Sequence, residues 1–419
     1  MTMIRRILHI DFDSFFASCE QQFNPGIRNK PMGVTATNGR TCIIASSREA
    51  KRLGIKTGTR TYDAKKICPD IIFIPADFVK YWEISKKFLN ICKDFSPLVE
   101  VFSIDEVFMD ITQTEYLFGG QQNIVQSIKE RIKKEIGEYI TVSIGFSHNK
   151  LLAKLASSVK KPNGFFEIKK DQIPEIYRNS KLTDICGIGE RIGRRLNKIG
   201  IYNLLDLKNA DINCLLGEFG KAEGQFLKDI GLAKDDCPLV SYTSAPEVKS
   251  VGRSYCLAKN EHNKRIILQN IYELFEEVSI KLRRLGKKAR TIGIGLNGDS
   301  FIKFRKTFKD YVETGREIYN LSLPFFEKDL EKQKYVRQIH VWVSGLEDKK
   351  NLSLSLFDSV KRNDKVQEAV DKINDRFGDH TIRNGFLLYA DKLTTVPNGY
   401  LADKYERIKL ANESNLLQG

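Results

Sequence analysis

The order of strand-like and helical segments between residues 7 and 159 constrains the fold more than any other feature of this sequence. Residues 7–12 form an apolar run that is interrupted by His9 and ends in Asp11-Phe12-Asp13, which predicts a buried strand with acids at its end. Residues 98–102 and 107–111 flank Ser103-Ile104-Asp105-Glu106, a pattern that predicts a β-hairpin with acids at its tip. Helices predicted at 15–22, 78–95, 121–136 and 149–159 and a strand at 141–146 complete a βαββαβ order, typical of a ferredoxin-like sheet in the α/β (α+β) class.

A small α/β insert is predicted after the first of these helices. Asn24-Pro25-Gly26 ends that helix, because proline and glycine interrupt helical backbone. The insert then alternates short strands and helices, with strands at 32–36, 42–45 and 71–74 and helices at 47–53 and 61–67.

Beyond Lys161-Pro162-Asn163-Gly164 the chain changes to short amphipathic helices separated by glycines. Gly187-Ile188-Gly189 lies between the segment 182–185 and a basic helix at 190–199, an arrangement that looks like a helix-hairpin-helix. A glycine turn of this kind lets backbone N–H groups approach a phosphate. A second, weaker example is Gly217-Glu218-Phe219-Gly220.

Residues 241–248 contain Pro246 and several hydroxyl side chains and are predicted to be a linker. A second βαββαβ order follows, with strands predicted at 249–257, 290–296, 301–307 and 335–343 and helices at 264–285 and 312–330. Residues 351–419 are a tail with one predicted helix at 365–377.

The charge of the chain indicates a polyanionic partner. Lys and Arg number 68 against 53 Asp and Glu, which gives a formal net charge of +15. The positive charge is concentrated between residues 281 and 309 of the second βαββαβ segment, where one acid, Asp299, accompanies ten basic residues: Lys281, Arg283, Arg284, Lys287, Lys288, Arg290, Lys303, Arg305, Lys306 and Lys309. Clustered Lys and Arg that neutralise phosphates are the footprint of nucleic-acid binding.

Other features exclude several classes of protein. The apolar fraction of 41% is too high for a disordered chain, and no apolar run is long enough to span a bilayer, so we expect a soluble, cytoplasmic protein. The eight cysteines are scattered without closely spaced pairs, which argues against a zinc site and against a disulfide framework.

Three carboxylates carry the predicted chemistry. Asp11, Asp105 and Glu106 stand at strand ends that a sheet of this order brings together, and clustered acids are tolerated when divalent cations neutralise them. Hard oxygen ligands suit Mg²⁺, and Mn²⁺ is the alternative. Two such ions would activate a hydroxyl and stabilise the leaving oxygens of a phosphoryl displacement, so the chemistry suggested is nucleotidyl transfer.

Four motifs, in order along the chain, resemble the signatures of Y-family translesion DNA polymerases of the bacterial polymerase IV and V kinds. They are Asp11-Phe12-Asp13-Ser14-Phe15-Phe16-Ala17-Ser18, Ser103-Ile104-Asp105-Glu106-Val107-Phe108-Met109-Asp110, Ser143-Ile144-Gly145-Phe146-Ser147-His148-Asn149-Lys150 with Lys161-Pro162-Asn163-Gly164, and Gly187-Ile188-Gly189. The resemblance implies a right-hand polymerase that lacks a proofreading exonuclease. Its parts would be a palm at 1–23 and 76–165, fingers at 24–75, a helix-hairpin-helix thumb at 166–240, the linker 241–248, a little finger at 249–350 and the tail 351–419.

The resemblance also implies roles for individual residues. Asp11, Asp105, Glu106 and the backbone carbonyl of Phe12 match the metal ligands of the family, and Phe16 matches its steric gate against the ribose 2′-hydroxyl. Nucleotide contacts are expected from Phe15, Phe16, Arg48, Lys51 and Lys161. Arg48 and Lys51 depart from the commonest polymerase IV pattern, which has tyrosine and arginine at these positions, and the surrounding stretch is similar to polymerase V-like members. The small residues Ser46 and Ser47 are expected to leave space over the templating base pair.

The expected partners are primer–template DNA, a deoxynucleoside triphosphate (dNTP) and a sliding clamp, bound by a monomer. DNA contacts are predicted for Gly187, Gly189, Lys249, Arg253, Lys287, Lys288, Arg290, Lys303 and Arg305. Ser353-Leu354-Ser355-Leu356-Phe357 resembles the clamp-docking peptide of the family, with Leu354, Leu356 and Phe357 as its apolar anchors and serine in place of the usual first glutamine. A strand packed on the little finger is the other interpretation of this segment.

Two alternatives to a damage-tolerant, low-fidelity polymerase stay open at this point. A nucleotidyl cyclase shares the ferredoxin-like sheet and the paired metal acids, but it needs neither the glycine turns after Pro162 nor the basic segment after Lys249. A catalytically silent polymerase-like scaffold would bridge DNA and clamp, and loss of a metal-binding acid would mark it. All three acids are present, so the polymerase is the favoured prediction.

Overall fold

The computed structural model describes residues 4–36, 42–242, 244, 247–352, 358–378, 380–388 and 390, with side chains omitted at 358–364. The chain divides into two compact units between Pro246 and Glu247, inside the segment that was predicted to be a linker. No helix in the described part of the chain is long and apolar enough to cross a membrane.

The elements of the first unit follow the predicted order closely. They are β1 (Ile7–Phe12), α1 (Phe15–Phe23), β2 (Met32–Thr35), β3 (Ile43–Ser46), α2 (Arg48–Arg52), α3 (Thr61–Ile67), β4 (Ile72–Pro75), α4 (Phe78–Lys93), β5 (Val99–Val101), β6 (Glu106–Asp110), α5 (Gln121–Arg131), β7 (Val142–Ser147), α6 (Lys150–Val159), β8 (Phe165–Glu167), α7 (Ile173–Asn179), α8 (Glu190–Lys198), α9 (Leu204–Asn209), α10 (Ile212–Phe219) and α11 (Lys221–Gly231). A π-helical turn, Ile132–Ile136, extends α5.

A five-stranded sheet, in the order β5-β6-β1-β7-β8, forms the centre of the first unit. Strand β1 is antiparallel to both of its neighbours, so the predicted βαββαβ order is confirmed. The short strand β8, parallel to β7, was not predicted. On one face of the sheet, side chains of β1 such as Leu8, Ile10 and Phe12 pack with helices α4 and α5, and helix α6 packs on the other face.

Gly145 sets how closely α6 approaches the sheet. It lies on β7 opposite His9 of β1. A Cβ atom at this position would lie 2.1 Å from the carbonyl oxygen of Ala153 and 2.2 Å from the nitrogen of Ser157, both in the backbone of α6. Glycine is therefore required for α6 to lie directly on the centre of the sheet.

The predicted insert is a three-stranded sheet, in the order β3-β2-β4, with helices α2 and α3. Strand β2 pairs antiparallel with β3 and parallel with β4. The insert has its own small core, which consists of Ile43, Ala50, Ile55, Ala64 and Ile71.

Helices α7–α11 form the glycine-punctuated segment. The first arm of the predicted helix-hairpin-helix is only a 3₁₀ turn, Leu182–Asp184, while the second arm is α8, with Gly189 as its N-cap. Gly187 has a φ of +103°, a conformation that side-chain-bearing residues rarely adopt. In the second example, Gly217 lies inside α10 and only Gly220, with a φ of +81°, turns the chain between α10 and α11.

The second unit contains β9 (Ser250–Glu261), α12 (Lys264–Arg284), β10 (Lys287–Gly298), β11 (Phe301–Val312), α13 (Gly315–Lys332), β12 (Val336–Asp348) and α14 (Asp358–Phe377). Its element order is again the predicted βαββαβ, and its strands form an antiparallel four-stranded sheet in the order β11-β10-β12-β9. Strands β10 and β12 are central, whereas β11 and β9 lie at the edges. Helices α12 and α13 cover the face that carries Ile292, Ile294 and Leu296 of β10.

The opposite face of the four-stranded sheet, here called the helix-free face, carries small, hydroxyl-bearing, aromatic and basic side chains. Cross-strand pairing places Gly252, Trp342, Gly293 and Arg305 in one row. The next row consists of Ser254, His340, Gly295 and Lys303. Neither row contains an acid.

Candidate active site

A cavity of about 460 Å³ opens where β1 ends and α1 begins. Its walls combine the β1–α1 turn, the insert and the segment after α6. The lining residues are Asp11, Phe12, Asp13, Ser14, Phe15, Phe16, Ile44, Ala45, Ser46, Arg48, Lys51, Arg52, Thr57, Asp105, Lys161 and Pro162.

The three predicted acids meet at this end of the five-stranded sheet. Asp11 and Glu106 are direct partners in the pairing of β1 with β6. The backbone N–H of Phe12 donates to the carbonyl oxygen of Asp105 at 3.0 Å, which fixes the hairpin tip beside the end of β1. The convergence follows from the strand order, because β1 lies between β6 and β7.

Two lysines form ion pairs with two of the three acids. Lys161 donates to Asp11 Oδ2 and Lys154 donates to Glu106 Oε2. Burial raises the pKa of Asp11, against the opposing effect of Lys161, and the nearby Asp105 raises it further. Burial also raises the pKa of Asp105, against a hydrogen bond from Ser103, and the charge of Glu106 adds to the rise. Because burial opposes the ionisation of both carboxylates, this site favours the binding of additional positive charge.

The donor set fits a hard divalent cation. Carboxylate oxygens with a backbone carbonyl nearby are the ligands that such ions prefer. Within the described residues, no three side chains of His, Cys, Asp or Glu already surround one point as a metal site.

Glu106 differs from the other two acids. Burial opposes its ionisation, but a hydrogen bond from His9 and the charge of Lys154 outweigh burial and lower the pKa of Glu106 to about 2. His9 and Lys154 were not predicted as site residues. His9 did leave a signal in the sequence, as a polar residue inside an apolar strand.

Phe16, the predicted steric gate, lines the cavity and is held by other aromatic rings. Its ring stacks on Tyr81 at 4.3 Å between centroids and contacts the edge of Phe78 at 5.9 Å. Tyr81 is buried, and its hydroxyl donates to Glu20 Oε1 at 2.7 Å. Phe15 also borders the cavity, but its side chain is only 3% exposed and stacks on Phe12 at 4.7 Å.

The predicted triphosphate contacts Arg48, Lys51 and Lys161 all line the cavity. Lys51 Nζ donates to Ser14 Oγ at 2.8 Å, and burial together with the charge of Lys161 lowers its pKa. The Arg48 guanidinium donates to Thr141 Oγ1. With Arg52, four cations thus line the cavity, together with Asp11 and Asp105.

Of the two small residues predicted to leave space, only Ser46 lines the cavity. Ser47 is fully buried and caps α2, where its hydroxyl accepts from the backbone N–H groups of Ala50 and Met32. The expectation for Ser47 was therefore wrong, because a serine at a helix N-cap turns its side chain toward the backbone.

Asp13 is a structural acid, and it was not among the predicted site residues. It accepts hydrogen bonds from Thr141 Oγ1 at 2.7 Å, Ser143 Oγ at 2.7 Å and the backbone N–H of Asn163 at 2.8 Å. These contacts tie the segment that carries Lys161 to strand β7.

The residues predicted to contact DNA belong to both units, and those of the second unit do not all lie on one face of its sheet. In the first unit, Gly187 and Gly189 flank the turn before α8. In the second unit, Lys303 and Arg305 are exposed on the helix-free face, and Lys249 and Arg290 are exposed elsewhere. The other three form ion pairs: Arg253 contacts Glu277 at 3.2 Å on the helix-covered face, Lys287 contacts Asp348 at 3.0 Å, and Lys288 contacts Glu313 at 3.0 Å. The predicted clamp anchors Leu354, Leu356 and Phe357 lie outside the described residues.

Comparison with known families gives two matches that together span most of the chain. The impB/mucB/samB family matches residues 10–158, and the C-terminal domain of the same family matches residues 248–356. The first match contains all three site acids.

Curated relatives and solved structures agree with these matches. DNA polymerase IV of Pelotomaculum thermopropionicum is 33% identical over 95% of this chain and 97% of its own length. DNA polymerase IV of Moorella thermoacetica is 32% identical over 91% of this chain and 96% of its own length. A Y-family DNA polymerase chimera of Dbh and Dpo4 is 27% identical, with a TM-score of 0.69, over 82% of this chain and 99% of that chain. An insertion ternary complex of Dbh DNA polymerase is 27% identical, with a TM-score of 0.53, at the same coverage. The predicted resemblance and right-hand fold are confirmed, and the chain belongs to the impB/mucB/samB family of Y-family DNA polymerases.

Proposed function

We propose that this Y-family DNA polymerase extends a DNA primer by template-directed nucleotidyl transfer from dNTPs, through the cavity at the end of the five-stranded sheet. The polymerase acts with low fidelity in translesion synthesis and has no proofreading step. The observation that carries the proposal is the convergence of Asp11, Asp105 and Glu106 beside a cavity that Asp11, Asp105 and four cationic side chains line. A catalytically silent scaffold is not favoured, since such a scaffold has no use for three converging acids.

The reaction needs hard cations at the acids and cationic side chains at the triphosphate. Two Mg²⁺ ions, or Mn²⁺ in their place, would be held by the three carboxylates and the Phe12 carbonyl, and when bound they lower the pKa of the primer hydroxyl and neutralise phosphate charge. Lys161, once released from Asp11, has the reach and charge to contact the triphosphate. Arg48 and Lys51 bind the triphosphate from α2.

Phe16 selects the sugar. A flat ring beside C2′ of the incoming nucleotide leaves no room for a 2′-hydroxyl, and the stack on Tyr81 prevents the ring from rotating aside. Ser46 leaves the insert side of the cavity open, so damaged bases are accommodated and closure discriminates little between correct and incorrect pairs.

The other segments of the chain correspond to the subdomains of a right-hand polymerase. The five-stranded sheet belongs to the palm, the three-stranded sheet to the fingers, α7–α11 to the thumb and the four-stranded sheet to the little finger, with the boundaries given by the sequence. The backbone N–H groups around Gly187 and Gly189 and the exposed cations Lys303 and Arg305 contact DNA phosphates. The protein acts as a cytoplasmic monomer, and residues 353–357 dock on a sliding clamp.

Primer extension with single nucleotides tests the proposal. Wild type should extend a primer with dNTPs in a template-dependent manner, and Asp105→Asn should abolish extension. Asp110→Asn is a matched control, because Asp110 lies on β6 at the end opposite Glu106 and should leave extension in place. Phe16→Ala should gain ribonucleotide incorporation. Template-independent incorporation, or full activity in Asp105→Asn, would refute the proposal.

A further inference from the structure

His9 is a polar side chain buried in the middle of the five-stranded sheet. It is 1% exposed, and both of its ring nitrogens have partners. Nδ1 lies 2.8 Å from Ser157 Oγ, and Nε2 lies 3.0 Å from Glu106 Oε2. A buried imidazole that is bonded on both sides has a fixed orientation.

The direction of the second bond follows from the ion pair of Glu106. Its Oε2 atom also accepts from the Lys154 ammonium, and a carboxylate in an ion pair can only accept hydrogen bonds. The hydrogen is therefore on Nε2 of His9, and the Ser157 hydroxyl holds the opposite side of the ring.

Helix α6 supplies two of the groups around Glu106. Lys154 and Ser157 are three residues apart and share one face of α6, and Gly145 allows this face to lie on the sheet. Lys154 bonds the same carboxylate oxygen, Oε2, that His9 bonds. Among the described residues, Oε1 of Glu106 has no hydrogen-bond partner, so that oxygen is available to a ligand.

The two hydrogen bonds to Oε2 of Glu106 differ in how easily the donor side chain can move away. The Lys154 side chain is 25% exposed and flexible, so it can move away when other positive charge arrives. The His9 ring cannot move away, because the five-stranded sheet and helix α6 enclose it. Among the residues that the structure describes, Asp11 has no such buried partner, and its ion pair is with Lys161, whose side chain is 39% exposed.

We propose that His9, held by Ser157, is a positioning residue for the catalytic carboxylate: it fixes Oε2 of Glu106 so that Oε1 is presented to divalent cations. The inference rests on the proposed function, because it assumes that Glu106 is a metal ligand. Hydrogen-bonded partners of metal ligands set affinity by holding the ligand in one orientation.

Binding of Mn²⁺ to the complex of protein, primer–template DNA and a non-hydrolysable dNTP analogue tests the proposal, with free Mn²⁺ measured by electron paramagnetic resonance. His9→Phe keeps a buried ring but loses both hydrogen bonds, and it should weaken Mn²⁺ binding about 10- to 100-fold. His9→Gln, which can still donate to Glu106 and accept from Ser157, should recover binding to within about threefold of wild type. The Mg²⁺ concentration for half-maximal extension should shift by the same factors.

Two further variants keep the test decisive. Ser157→Ala leaves His9 in place but frees one side of the ring, and it should weaken Mn²⁺ binding by up to about tenfold even if His9→Phe does not fold. Ile7→Ala is the matched control, because Ile7 is fully buried on the same strand and touches no site acid, so it should lower thermal stability without changing Mn²⁺ affinity.

Wild-type Mn²⁺ affinity in His9→Phe or Ser157→Ala would overturn the inference. So would a loss of affinity that Ile7→Ala shares in proportion to its loss of stability. Asp105→Asn separates this failure from failure of the proposed function. If Asp105→Asn weakens Mn²⁺ binding and the His9 variants do not, only the role of His9 is wrong. If Asp105→Asn also binds Mn²⁺ normally, the assignment of the acids as metal ligands is wrong.

Discussion

The five-stranded and four-stranded sheets share one element order, βαββαβ, but arrange their strands differently. In the five-stranded sheet the first strand, β1, lies between β6 and β7, whereas in the four-stranded sheet the first strand, β9, lies at an edge. The interior position of β1 brings Asp11 against Glu106. No equivalent meeting of acids occurs in the rows of the helix-free face.

The sheets also differ in how their faces are covered. Helices pack on both faces of the five-stranded sheet, and its predicted site acids lie at the strand ends. Helices α12 and α13 cover only one face of the four-stranded sheet, and the other face presents glycines, hydroxyls and cations. We therefore expect one element order to support a concentrated catalytic site in one unit and an extended binding surface in the other.

The largest predicted effect is on the incorporation rate, and it comes from the substitution Asp105→Asn in the five-stranded sheet. A lost metal ligand costs several kcal/mol of transition-state stabilisation, so Asp105→Asn should reduce single-turnover incorporation by at least about 10³-fold. Asparagine should at the same time raise the melting temperature in EDTA by roughly 2–4 °C, the shift expected for ~1 kcal/mol.

The pH dependence of the higher melting temperature of Asp105→Asn tests whether the buried charge of Asp105 is its cause. Because burial raises the pKa of Asp105 in the folded protein, its ionisation destabilises the fold. The cost is absent below the pKa of the unfolded chain and is complete above the raised folded pKa. The stability advantage of Asp105→Asn should therefore shrink as the pH is lowered from 8. An advantage that is constant with pH would exclude this electrostatic cause.

Glycine substitutions compare how tightly the two sheets are packed. Gly145→Ala should destabilise the first unit by at least about 3 kcal/mol, because its Cβ meets the backbone of α6. Gly295→Ala is the counterpart on the helix-free face, where a Cβ would make only 3.6 Å contacts with Phe301, and it should change stability by no more than about 0.5 kcal/mol.

Urea unfolding followed by tryptophan fluorescence measures both effects. The chain has two tryptophans, Trp82 in α4 and Trp342 in β12, so Trp342→Phe and Trp82→Phe backgrounds report on the first and second unit respectively. Equal effects of the two glycine substitutions would contradict the proposed difference in packing.

The smallest expected effect concerns DNA affinity. The double variant Lys303→Ala/Arg305→Ala should weaken primer–template binding on the order of tenfold and reduce the slope of log K against log salt by about 1 for each cation removed. Arg253→Ala is the matched control, because Arg253 pairs with Glu277 on the helix-covered face. It should lower stability but leave the salt slope unchanged, as fluorescence anisotropy at several salt concentrations would show.

The sequence predicted most helices and strands well, but it predicted the strand order and the long-range side-chain contacts less well. Strand β1 and the hairpin were predictable because apolar runs end in acids, and the convergence of these acids followed from the ferredoxin-like order. Strand β8 has only three residues and shows no period. The edge position of β11 and the ion pair of Arg253 depend on strand order and register, which a βαββαβ pattern leaves open.

His9 shows the same limit at the site. Its polarity within an apolar strand was visible, but its partners Glu106 and Ser157 lie 97 and 148 positions away in the chain. They meet because Gly145 admits α6 to the sheet, and this packing is not encoded in any local pattern.

The most direct test of this division between catalysis and binding is single-turnover incorporation measured against DNA concentration. Asp105→Asn should lose its maximal rate while the DNA concentration for half-saturation in binding stays at the wild-type value. Lys303→Ala/Arg305→Ala should show the reverse, with a wild-type maximal rate and a raised half-saturating DNA concentration. If both variants lose maximal rate and affinity together, catalysis and DNA binding are not divided between the two sheets.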